Sequence, residues 1–271
     1  MNPLSLIFGA LVGFSLGLTG GGGALFAVPL LVYGLGVPPR EAVGVSLATV
    51  GAMAAVGFVQ RLRAGLVELP TGLLFAAAGM IGAPAGSWLA GMIPPAVLLS
   101  LFGLLMLVIA ARMWRMASDG PERLAIAPGD DHGPSCRRDP SGKLRLTSRC
   151  AMVLASAGLI TGVLSGLFGV GGGFIIVPAL VAFSGMGMQR AIGTSLLVMA
   201  LVSVAGTGGY LLGGQTLPME VVGPFIGGGI VGLFGGSWLG RRVAGPVLQR
   251  LFAATIVFVA ALVLVKNLTG Y

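Results

Sequence analysis

Apolar residues run along this chain in stretches of membrane length, separated by short breaks that carry charge or proline. The stretches fall at roughly 3–36, 41–60, 69–92, 95–116, 151–186, 190–212, 218–240 and 244–268. A helix needs about 20 apolar residues to cross a bilayer. Six of these stretches fit one crossing each. The other two, 3–36 and 151–186, are too long for one straight helix. Each is interrupted by glycines: Gly20–Gly23 in the first, Gly169 and Gly171–Gly173 in the second. The pattern predicts two hairpins, each made of two short helices meeting at glycine, together with six full-length helices.

Those interruptions belong to an internal duplication. With a shift of 149 residues, positions 13–47 align on 162–196 without a gap, and 15 of the 35 are identical. The core reads GLTGGGGALFAVPLLV in the first copy and GLFGVGGGFIIVPALV in the second. Gly44, Ser46 and Leu47 match Gly193, Ser195 and Leu196, and Pro29 matches Pro178. After one inserted residue, Gly86-Ser-Trp-Leu89 aligns on Gly236-Ser-Trp-Leu239. The expected architecture is all-α and polytopic. It has a first transmembrane repeat over 1–116, a linker over 117–148 and a second repeat over 149–271. Each repeat has a glycine-broken first helix followed by three transmembrane helices.

Composition removes the soluble alternatives. The 271 residues are 56% hydrophobic and 9% charged, where a soluble domain carries roughly 25% charge. The net charge of +8 resembles a nucleic-acid signal. However, the basic residues sit between apolar stretches, where membrane topology accounts for them. Segment Ala111–Arg149 holds 8 of the 16 basic and 5 of the 8 acidic residues, so it reads as a cytoplasmic loop. If stretches 3–36 and 151–186 enter and return, each repeat ends on the side opposite its start. The repeats are then inverted, and Arg61, Arg63, Arg190, Arg241, Arg242 and Arg250 all fall inside with the linker. A parallel arrangement would put Arg241 and Arg242 outside. The charge rule favours inversion. Cys136 and Cys150 are assigned no structural role.

The candidate site lies at the breaks. Consecutive glycines cost a helix about 1 kcal/mol each relative to Ala. A break at membrane depth is tolerated only where protein or a wet cavity satisfies the backbone. Helices that restart after a break carry free N–H groups and a partial positive charge, which suits an anion. In duplicated transporters such breaks line the substrate site. The candidate ligands are Thr19, Gly20, Gly21, Gly22, Gly23, Ala24 and Ser46 from the first repeat. The second contributes Gly169, Gly171, Gly172, Gly173, Thr194 and Ser195, and Ser15, Thr49, Ser165 and Thr207 are further hydroxyls near the breaks. The competing reading gives the glycines no role beyond a tight hairpin. Glycines spaced by four (Gly9, Gly13 and Gly17; Gly158, Gly162 and Gly166; Gly228, Gly232, Gly236 and Gly240) read as helix-packing rows.

The remaining polar inventory argues against catalysis. His132, the sole histidine, lies in the linker, which leaves no dyad or His metal cluster within the membrane. No P-loop motif is present. No catalytic residue, metal or cofactor is expected. Glu41, Glu68 and Glu220 lie at segment ends, which leaves no mid-span carboxylate for a proton relay. A membrane potential, negative inside, drives each anionic charge outward with about 2.3 kcal/mol per 100 mV. Anion export therefore needs no such relay.

The duplicated GLTGGGGALFAVP and GLFGVGGGFIIVP, the following GVS and GTS, and the repeated GSWL resemble the TauE/SafE sulfite exporter family. The resemblance spans nearly the whole chain. It implies a multi-pass inner-membrane permease moving small sulfur-containing or organic anions, with sulfite or sulfonate export as the expected activity. An anion channel or an importer using the same helix ends is the alternative. The expected partners are a small anion and the lipid bilayer, without nucleic acid; a homodimer is left open.

Overall fold

A computed structural model describes residues 3–118, 148–169, 172–184 and 186–240, with isolated positions 257 and 261. The expected final stretch, 244–268, and nearly all of the linker lie outside the described residues. Nine α-helices are seen in what is described: α1 (Pro3–Thr19), α2 (Ala24–Pro29), α3 (Pro39–Arg63), α4 (Leu69–Met92), α5 (Pro95–Ser118), α6 (Ser148–Phe168), α7 (Gly173–Ser184), α8 (Met188–Leu212) and α9 (Met219–Gly240). A π-helical turn, Leu30–Gly34, extends α2. No strand occurs among the described residues. Five helices there are long and apolar enough to cross a membrane: α3, α4, α6 from Cys150, α8 and α9.

The two interrupted stretches fold back on themselves. Gly23 lies against Val12 and Leu16 of α1, and Gly34 lies against the Phe8 ring. The chain therefore descends α1, turns at the glycines and returns along α2. In the second stretch Gly172 lies against Thr161 and Ser165 of α6, the positions 149 residues after Val12 and Leu16. The turns themselves are glycine-dependent. Gly20 has φ +74° and its sequence equivalent Gly169 has φ +69°, a left-handed conformation that a side chain disfavours.

The spaced glycines do what their spacing predicts. A Cβ at Gly9, Gly13 or Gly17 would overlap backbone of α9 near Phe225, Gly229 and Leu233. A Cβ at Gly158, Gly162 or Gly166 would overlap backbone of α4 at Phe75, Gly79 and Ala83. The two contact sets are offset by 149 and 150 residues, as the alignment requires. In each, residue numbers rise together, so α1 runs parallel to α9 and α6 parallel to α4. These are the two most extensive pairs among the described helices. Bare backbones meeting at this range exploit dispersion and weak Cα–H···O contacts.

Helices α3 and α8 pair differently. Gly44 meets the Tyr210 ring, Gly51 meets Ser203 and Gly57 meets Leu196. The numbers run in opposite senses, so these two sequence-equivalent helices are antiparallel. Both are largely buried, and among the described helices they pair with each other and with α9 and α4. Cys150 is fully buried and disulfide-bonded, so it has a structural role that its sequence context did not indicate.

Candidate functional site: the paired glycine breaks

The two breaks meet. A Cβ on Gly21 would overlap the Gly173 backbone, and one on Gly173 would lie 2.7 Å from the Gly21 Cα. The Met199 sulfur of α8 also crowds Gly173. Each break is also held by the central helix of the other half. Gly20 rests on Ile192 of α8, with the Ile192 Cα 2.9 Å from its would-be Cβ. Gly169 rests on Val43 of α3, at 2.6 Å by the same measure. Ile192 and Val43 are equivalent positions in the alignment.

Polar groups secure the first break. Ser195, fully buried on α8, donates its Oγ proton toward the Gly20 carbonyl at 2.7 Å, with the Ile192 carbonyl at 2.8 Å as the competing acceptor. Thr19 Oγ1 donates to the Ser15 carbonyl at 2.8 Å and accepts the Gly22 N–H at 2.9 Å. The Gly22 amide is therefore occupied. The Thr-x-x-Gly spacing that allows this bond is the spacing of an N-cap hydroxyl and its amide, and it was legible in the sequence. Leu25 and Phe26 donate back to the Gly22 and Gly23 carbonyls at 3.2 and 3.1 Å. The Gly23 and Ala24 amides take no part in these bonds, as expected at the start of a helix.

At the second break the described residues carry backbone bonds. Ile175 and Ile176 both donate to the Gly172 carbonyl at 3.0 Å, and Gly169 donates to the Ser165 carbonyl at 2.8 Å. Gly172 has φ +70°, and a Cβ there would stand 2.9 Å from the Thr161 methyl. Gly171 lies outside the described residues. Ser46, the sequence equivalent of Ser195, is fully buried on α3, and its hydroxyl has no hydrogen-bond partner. Thr194 is placed elsewhere. Its Oγ1 accepts the Glu68 N–H at 2.9 Å, which ties the α3–α4 turn to α8.

A charged residue is buried near that turn. Arg61, 2% exposed at the end of α3, donates from Nη1 to Gln189 Oε1 at 2.7 Å. Nothing in the local sequence marks Arg61 as buried, and Gln189 lies 128 residues away.

A family model described as "Sulfite exporter TauE/SafE" matches residues 5–263. The chain belongs to the TauE/SafE family. It is 36% identical over 265 residues to a "Probable membrane transporter protein" of Xylella fastidiosa strain Temecula1, covering 96% of this chain and 93% of the other. It is 23% identical over 269 residues to the "Probable membrane transporter protein YunE" of Bacillus subtilis, with the same coverage. It is 28% identical over 215 residues to "MJ0441" of Methanocaldococcus jannaschii, named in the same way and covering 77% and 72% of the two chains. No solved structure matches. This member of the TauE/SafE family is thus a helical, multi-pass membrane transporter.

Proposed function

We propose that this chain is a secondary transporter of small anions in the inner (plasma) membrane, exporting sulfite or a related sulfur-containing or organosulfonate anion down the membrane potential. The observation that carries the reading is the contact between Gly21 and Gly173. It brings two restarted helices, Ala24–Gly34 and α7, to one place. Their first amides, at Gly23, Ala24 and Gly173, are the donors an anion would use. Gly22 contributes shape, since its N–H is already held by Thr19.

In this reading the units 1–116 and 149–271 are inverted repeats joined by a cytoplasmic linker at 117–148. Three observations support inversion. The first interrupted stretch folds back along itself, with Gly34 against Phe8 near its start. The equivalent helices α3 and α8 are antiparallel, as a twofold axis in the membrane plane requires. Trp88 and Trp238, equivalent and 70% and 58% exposed, then fall near opposite faces, where interfacial tryptophans belong.

The test is transport by purified protein in liposomes with an imposed potential, using sulfite, thiosulfate, sulfoacetate and sulfate. Saturable movement toward the positive side supports the proposal. Flux that does not saturate marks a channel, and movement of none of the four removes the substrate claim.

A further inference from the structure

We infer that the anion's side-chain contacts come from the second break alone, and that Ser165 of α6 and Ser46 of α3 are those contacts. The inference rests on the breaks being the anion site, and it assigns the two halves of that site different duties. At the first break every named hydroxyl is spent on the backbone: Thr19 on Ser15 and Gly22, and Ser195 on Gly20 or Ile192. That side offers the anion backbone amides only. At the second break the hydroxyls of Ser46 and Ser165 are 0% and 1% exposed and have no partner.

Both belong to that break by position. The Ser165 Cβ lies 3.4 Å from the point a Cβ on Gly172 would occupy. Ser46 stands one helical turn beyond Val43, the residue on which Gly169 rests. Residues three apart share a helix face. Ser165 has no counterpart in the first repeat, where Leu16 occupies the equivalent position, so duplication alone does not explain its hydroxyl.

A buried hydroxyl in a helix ordinarily bonds the carbonyl four residues back, as Thr49, Thr161 and Ser184 do here at 2.8, 2.6 and 2.6 Å. Leaving one unpaired is costly. Ser165, beside Gly172 at the start of the twelve-residue helix α7, and Ser46, on the face of α3 that meets Gly169, form a neutral donor set. Its complement is a compact oxyanion with several acceptor oxygens, held by hydroxyl and amide hydrogens without a cation.

The experiment measures sulfite transport in liposomes by Ser46→Ala, Ser165→Ala and, as a control, Ser5→Ala. Ser5 is equally buried and unpartnered but lies at the far end of α1. Each of the first two should raise the half-saturating sulfite concentration about tenfold, which corresponds to about 1.4 kcal/mol. Ser5→Ala should leave it unchanged. Should an alanine variant fail to fold, the near-isosteric Ser→Cys variant at that position takes its place, with the same expected direction. Folded variants of Ser46 and Ser165 that saturate like the parent overturn the inference and leave the anion-transport reading intact. A parent protein that moves none of the four anions removes both.

Discussion

Ser195 on α8 donates to the Gly20 carbonyl at 2.7 Å, so a helix from one half of the sequence fixes the bend in the other. The donor comes from 175 residues away and is fully buried. Ser195→Ala would leave the buried Gly20 carbonyl without this donor, at a cost of about 1–3 kcal/mol. The expected outcome is a lower unfolding temperature of the detergent-purified protein, partly restored by Ser195→Thr. An unchanged temperature for Ser195→Ala would mean that packing against Ile192 holds the bend by itself.

The glycine rows give a paired prediction. Gly13 faces Gly229 and Gly162 faces Gly79, in both cases backbone to backbone. A methyl at either must push two helices apart, and overpacking of this kind costs about 1–3 kcal/mol. Gly13→Ala and Gly162→Ala should each reduce the yield of monodisperse protein, and by similar amounts because the contacts are equivalent. Gly227→Ala should express normally, since nothing lies within 4 Å of its would-be Cβ. Size-exclusion profiles of the three proteins decide it. Normal yields from the first pair would show that the helices separate cheaply.

Much of this arrangement is legible in the sequence, because hydropathy, glycine spacing and the duplication are local or periodic signals. The reversal at Gly20 and Gly169 follows from glycines set inside stretches too long for one crossing. The packing role of Gly9, Gly13 and Gly17 follows from their spacing. Which helix each row faces is not legible in the same way. That α1 packs far more extensively on α9 than on α2 or α3 of its own half is a long-range fact that no window of sequence carries. Thr194 shows the same limit: its residue type suits a substrate contact, but its position relative to Glu68 puts it to use in holding a turn. Ser165 shows it in the opposite direction, since only the fold reveals that its hydroxyl is unpaired beside Gly172.

Inversion is tested by accessibility. In the proposed topology the α8–α9 turn and the α3–α4 turn lie on opposite sides of the membrane. A single cysteine at Glu220, in a background with Cys136 and Cys150 replaced, should react with an impermeant maleimide added outside intact cells. One at Ala64, exposed in that turn, should react only after the membrane is permeabilised. Labelling of Glu220→Cys from the cytoplasmic side alone would establish parallel repeats.

The buried arginine sets the last expectation. Arg61 is 2% exposed and donates to Gln189 at 2.7 Å, which joins the end of α3 to the start of α8. A hydrogen bond with a charged donor contributes about 1.5–3 kcal/mol, and it is strengthened by low-dielectric surroundings. Removing only the acceptor, by Gln189→Ala, should destabilise the fold more than removing both partners, because the guanidinium then stays buried with one contact fewer. Arg61→Met replaces the charged head with an apolar chain and should be the milder single change. The double variant Arg61→Met/Gln189→Ala should therefore lie close to Arg61→Met in unfolding temperature, not at the sum of the two losses. Thermal unfolding of all four proteins in one detergent measures the coupling. Strict additivity would show that Gln189 does nothing for Arg61, and that the contact between these helix ends is held by the Glu68–Thr194 bond and the packing of Leu66 on Gly193.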